Sequence, residues 1–166
     1  MSMITDYLRL RPTELTELRR RLTEEPNAAY SYVADLGDGG EDDGGAARGV
    51  DTDKAWAGLQ FLLAKLNPPV DVIAGGEPMT DDEWGYDSPR LLTAAQVAEA
   101  ARFFEVTPFS SVAAQYHPAE LTSAEVYPDI WAEDWALSYL EDAYDDVATL
   151  FRAAAADHEA VLVWMS

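Results

Sequence analysis

The 166-residue chain contains no cysteine, only two histidines, and lysine only at positions 54 and 65. Without cysteine, disulfides, thiolate nucleophiles and Cys-ligated metals are excluded. The histidines, at 117 and 158, would need carboxylates to complete a zinc site, and no metal is expected. No apolar run approaches the roughly 20 residues of a membrane-spanning helix, so no membrane association is expected. The opening MSMITDYLRL has neither a basic segment nor an apolar stretch of leader length, and a cytoplasmic location is expected. Gly75–Gly76 lacks a G-x-G-x-x-G context, and Ser110–Ser111 lacks G-x-S-x-G. Neither a dinucleotide cofactor nor a serine hydrolase is indicated, and no other cofactor is expected.

Positive charge is also scarce: 31 acidic residues face 11 basic ones, a formal net charge of -20. Such a field repels phosphate backbones and anionic lipid, which disfavours nucleic acid and membrane surfaces as partners. It attracts a basic protein, a cation or a polyamine, although solubility alone is a sufficient reason for it. The preference for Arg over Lys, with abundant Ala, suggests a GC-rich bacterial genome.

What is present is core material. Hydrophobic residues make up 48% of the chain, with five Trp, eight Tyr and five Phe, enough for one domain spanning 1–166. Loose alternation over 2–10 predicts a strand with Met3 and Tyr7 inward. Pro12 then opens a helix with Leu15, Leu18 and Leu22 on one face. Its Arg19–Arg21 end suits a helix C-terminus and leaves an anion site as the functional alternative. A second helix follows Pro26. The Gly/Asp-rich stretch at about 37–49 reads as a flexible surface loop whose spacing does not fit a calcium loop.

A helix is predicted over 52–66, a brief extended segment at Val70–Ile73, and a long acidic connection to Thr93. Thr93 with Gln96 forms a capping box for the next helix. A short helix follows Pro108, and the longest helix is expected over 132–157, with Trp135, Tyr139, Leu140, Tyr144 and Phe151 in its apolar stripe. AVLVWM closes the chain as a buried strand. Strands at both ends with helices between predict an α/β fold bordering on α+β. Its expected form is a layered sandwich with a small mixed sheet that pairs the terminal strands.

The stretch VDTDKAWAGLQFLLAKL holds the first candidate site. Either Asp51 or Asp53 suffices as a cap, and Lys54 in a first turn opposes the helix dipole. A salt bridge to another segment or an anionic ligand would offset that opposition. In GGEPMTDDEWGYDSPR, Gly85 permits unusual backbone beside Tyr86, and Arg90 has the planar fork that binds carboxylates. In EVYPDIWAEDW, Pro128 stiffens a corner whose Tyr127, Ile130 and Trp131 are either core or a stacking platform.

These segments together resemble the YfbM-like family of bacterial domains. The resemblance runs through MSMI, DTDKAWAGLQFLL, GGEP with GYDSPRLLT, VYPDIW and AVLVWMS, nearly the whole chain. It implies a layered α/β fold and no particular activity. It marks Asp53, Lys54 and Trp56, then Gly85, Tyr86 and Arg90, then Tyr127 to Trp131. The Gly/Asp-rich insertion before Val50 departs from the family pattern.

Two functions follow. One is a non-enzymatic acidic interaction protein that binds a basic protein, in the manner of an inhibitor. The other is a small-molecule-binding or enzymatic domain with a pocket formed by Asp53, Lys54, Tyr86, Arg90 and Tyr127, in which the two cations hold an anionic group.

Overall fold

The two ends of the sequence meet in the middle of a sheet. In the computed structural model, which describes residues 2–38 and 46–166, β1 (Thr5–Leu10) pairs antiparallel with β5 (Ala160–Met165) along its whole length. The pairing continues one step outward: Ile4 N–H donates to the Ser166 carbonyl at 2.9 Å, and Ser166 N–H to the Ile4 carbonyl at 2.9 Å. Three short strands complete the sheet: β2 (Gly49–Asp51), β3 (Glu77–Pro78) and β4 (Arg90–Leu92), in the order β2-β1-β5-β4-β3.

Every pair among the described residues is antiparallel, so the sheet is not of the mixed kind expected. Parallel neighbours need a crossover, usually through one helix. Between β1 and β2 the chain instead runs through two packed helices, α1 (Pro12–Glu24) and α2 (Pro26–Asp38). It then returns along β1 in the reversed sense. The Gly/Asp-rich loop expected at about 37–49 falls mainly on residues 39–45, outside the described residues.

Alternation along β1 feeds two apolar layers. Tyr7 faces a cluster with Leu59, Leu62, Phe104, Trp131 and Phe151, while Leu8 and Leu10 face Leu18, Val33 and Leu162 on the other side. Helices α1 and α2 cover the second face. The first is covered by α3 (Trp56–Ala64), α4 (Ala94–Val106), α5 (Phe109–Ala113), α6 (Pro118–Ser123) and α7 (Ala136–Ala156). The result is the layered α/β sandwich anticipated from the hydrophobic pattern. No helix among the described residues is long and apolar enough to cross a membrane.

Local chemistry sets some element ends. The Thr93 side chain accepts from Gln96 N–H while Gln96 accepts from Thr93 N–H, the reciprocal cap that starts α4. In α7 the stripe Leu140, Ala143, Tyr144, Val147, Phe151 and Ala154 is buried, but Trp135 lies just before the helix and is 50% exposed. Val70–Ile73 is not extended. Asp71 accepts from the N–H groups of Ile73 and Ala74 and so closes a turn. Val70, Val72 and Ile73 are nonetheless buried, and the Tyr7 hydroxyl ties the turn to the sheet by donating to the Val72 carbonyl at 2.7 Å.

Candidate functional site

The helix predicted over 52–66 is divided at its start. Asp53–Ala55 form a single tight 3₁₀ turn and α3 begins at Trp56. The cause is Asp53, whose φ of 46° is left-handed and incompatible with a continuous α-helix. Asp51 stabilises that conformation by accepting the Asp53 N–H at 2.8 Å. The Asp53 carboxylate is therefore not spent on a cap, and it accepts the Tyr139 hydroxyl at 2.8 Å. The same hydroxyl oxygen accepts the Lys54 N–H at 2.9 Å. Burial pushes the Tyr139 hydroxyl well above the ordinary tyrosine range, and its bond to Asp53 pushes it further. The phenol remains protonated and holds α7 to the start of α3.

Trp56 extends this cluster. Its indole N–H donates to the Met3 carbonyl at 2.9 Å, and Met3 N–H donates to the Tyr127 hydroxyl at 3.2 Å. The Trp56 and Tyr127 rings lie 6.1 Å apart between centroids. Trp56 is half-buried and packs on the main core, so its body is sunk while its polar edge binds backbone. Trp135 meets Tyr139 edge to face at 5.7 Å. Asp53, Lys54, Trp56 and Tyr127 thus share one neighbourhood, joined by Tyr139 and Trp135, which sequence reasoning had placed in an apolar stripe. A clue was available: a tyrosine among helix-face leucines brings a hydroxyl that needs a partner.

The other candidates lie apart from this neighbourhood. Trp131 is 1% exposed and donates its indole N–H to the Val126 carbonyl at 2.7 Å. Its ring fills the space beside Gly58, where a Cβ would stand 2.3 Å from it. Trp131 is core. Tyr86 donates its backbone N–H to the Met165 carbonyl, and Gly85 before it adopts a φ of +87°. Arg90 lies 3.5 Å from Asp87 and lines a cavity of about 40 Å³, a space of water size. No hydrogen bond, ion pair or ring contact among the described residues joins Tyr86 or Arg90 to the Asp53 cluster.

The distribution of charge is uneven. Arg9, Arg20, Arg21, Arg48, Lys65 and Arg90 are all engaged by carboxylates. Arg9 and Arg48 are buried, so their charge hardly reaches the surface. Hydrogen bonds from Arg20 and Arg21 lower Glu17 to about 2. The outer face of α7 is less compensated: Glu141, Asp142, Asp145 and Asp146 are exposed with no ion pair among the described residues, and Arg152 is the one cation of the helix. Burial raises the Asp146 carboxyl above its ordinary value, and the like charges of Asp142, Asp145 and Asp51 raise it further. Among the described residues no group of three or more His, Asp or Glu is arranged to hold a metal ion.

A layered sandwich of helices on a five-stranded antiparallel sheet, with a polar cluster at the start of α3, is the class of domain that these features define. The sequence matches the family model described as "Domain of unknown function (DUF1877)" over residues 1–164, and the chain belongs to that family. In fold it is similar to the crystal structure of YfbM from Escherichia coli, described as a protein of unknown function. That similarity has a TM-score of 0.64 at 15% sequence identity, covering 98% of this chain and 99% of the other. No curated protein matches the sequence.

Proposed function

We propose that this protein is a non-enzymatic acidic interaction protein whose partner is a basic protein. The observation that carries this reading is the engagement of the cations. Six of them are engaged by carboxylates, whereas the α7 face keeps adjacent aspartates unpaired despite mutual repulsion. Solubility alone accounts for the net charge, and it is the gathering of unpaired carboxylates on one helix face that favours a partner. A basic partner would relieve it and would be steered by the field. The same field disfavours nucleic acid and anionic lipid as partners, and the lack of cysteine suits a reducing compartment such as a bacterial cytoplasm. Residues 1–166 act in this reading as one domain.

The test is capture of a basic protein from the source cell by immobilised wild type and by an Asp142→Asn/Asp145→Asn/Asp146→Asn variant. Wild type should release the partner at 1 M salt, where the Debye length is about 3 Å, and the variant should capture much less. Capture that resists salt and ignores the substitutions would overturn the reading.

A second reading, a small-molecule or enzymatic site, is supported by the strained Asp53 backbone and by Lys54, whose ammonium has no ion pair among the described residues. Its pocket would use Asp53, Lys54 and Tyr127, with Trp56 and Tyr139 in place of Tyr86 and Arg90. A ligand screen by thermal shift would favour it if one anionic compound stabilised wild type and not Lys54→Ala.

A further inference from the structure

A cavity of about 680 Å³ shares no lining residue with the Asp53 cluster or the α7 face. It is a groove between the first turn of α2 and the turn at residues 82–85, lined by Asn27, Tyr30, Asp82, Glu83, Trp84 and Gly85. Tyr30 and Trp84 meet edge to face, centroids 5.4 Å apart, and Trp84 is braced from behind by Trp164 at 6.2 Å. Trp84 is 8% exposed, while Tyr30 remains 48% exposed along the groove.

The turn is fixed rather than loosely draped. Trp84 N–H donates to the Asp87 carbonyl, and Tyr86 N–H donates to the Met165 carbonyl at the end of β5. At Gly85 a side chain would have its Cβ 2.5 Å from that same carbonyl oxygen, so the close approach requires glycine. Asp82 and Glu83 stand exposed on this anchored turn, with no ion pair among the described residues, and no Lys or Arg lines the groove. The groove therefore combines a half-open aromatic ring, two free carboxylates and little conformational freedom to lose on binding.

That combination selects a planar cation. A guanidinium stacks on an aromatic ring while its fork of N–H groups reaches a carboxylate, whereas an ammonium is a compact, strongly hydrated point charge. We propose that this groove receives an arginine side chain of the basic partner. The proposal rests on the acidic-interaction reading and adds to it a specific anchor, in contrast to the diffuse attraction of α7.

The experiment is calorimetric titration at low salt with a short peptide of alternating glycine and arginine, and with its lysine counterpart of equal charge. Wild type should bind the arginine peptide about tenfold more tightly, the scale of one desolvated cation–π contact with a carboxylate fork. Tyr30→Ala and Asp82→Asn/Glu83→Gln should abolish that preference, and Tyr30→Phe should keep it. Neutralising Asp142, Asp145 and Asp146 should weaken both peptides alike and leave their ratio intact. Equal binding of the two peptides by wild type, or a preference that survives Tyr30→Ala, would overturn the groove and leave the acidic-partner reading standing. If neither peptide bound, both would fall.

Discussion

The Tyr139 hydroxyl and the Asp53 carboxylate form a 2.8 Å hydrogen bond across 86 residues of sequence, from the fourth residue of α7 to the turn that starts α3. The bond answers why a helix with a greasy face opens on Asp-Thr-Asp-Lys. Asp51 shapes the backbone, Asp53 binds the neighbouring helix, and the Lys54 N–H returns to the same phenol.

Replacing Tyr139 with Phe keeps the ring and removes both hydrogen bonds. The expected loss is about 1 kcal/mol of stability, read as a lower urea midpoint at unchanged slope. An unaltered midpoint would show that the hydroxyl contributes nothing to the junction.

Arg9 and Glu159, both nearly inaccessible at 1% and 2%, pair through Arg9 Nε at 2.8 Å, and Asp157 takes a further hydrogen bond from the same guanidinium. Arg9→Met would strand the Glu159 carboxylate in the interior at a cost of about 3–5 kcal/mol. The double change Arg9→Met/Glu159→Leu should recover most of that loss, because apolar side chains of similar volume need no partner there. Chemical denaturation of the two singles and the double would measure the coupling.

Asp146 on α7 gives a pH dependence with a definite sign. The Asp146 carboxyl is raised from the ordinary 3.8, so the folded chain holds this proton more readily than the unfolded chain does. Its contribution opposes folding at neutral pH and is relieved as pH falls through the raised value toward 3.8. Asp142 and Asp146 are also like charges one helical turn apart, worth about 0.2–0.5 kcal/mol of repulsion. Asp146→Asn should therefore raise the melting temperature slightly at pH 7, with the gain fading in acid and its like-charge part fading in high salt. A gain that persisted under both conditions would point to some cause other than charge.

Long-period features were legible in the sequence. Loose alternation over 2–10, with Tyr7 inward, was enough to mark β1, the leucines after Pro12 mark α1, and the stripe from Leu140 to Ala154 marks α7. β2, β3 and β4 were not, since two or three residues hold no periodicity, and their place in the sheet is fixed by partners far along the chain. Val70–Ile73 has strand-like composition but is claimed by the Asp71 side chain, a local competitor that outweighs β-propensity. At the site, Asp53 and Lys54 could be singled out because each broke a local rule, Tyr127 because it sat at a stiff corner, and Trp56 through the family resemblance. Tyr139 gave only the clue of its hydroxyl, because its position is also a normal core position. The separation of Arg90 from Asp53 follows from strand order: β4 and β2 lie on opposite sides of the central pair.

That central pair has a consequence for how the molecule is made. The ladder between Thr5–Leu10 and Ala160–Met165 joins residues at least 150 positions apart, so β1 leaves the ribosome well before the strand it pairs with. Until β5 follows, β1 has only the short β2 beside it, and the seam of the sheet stays unsewn while the helices between them are made.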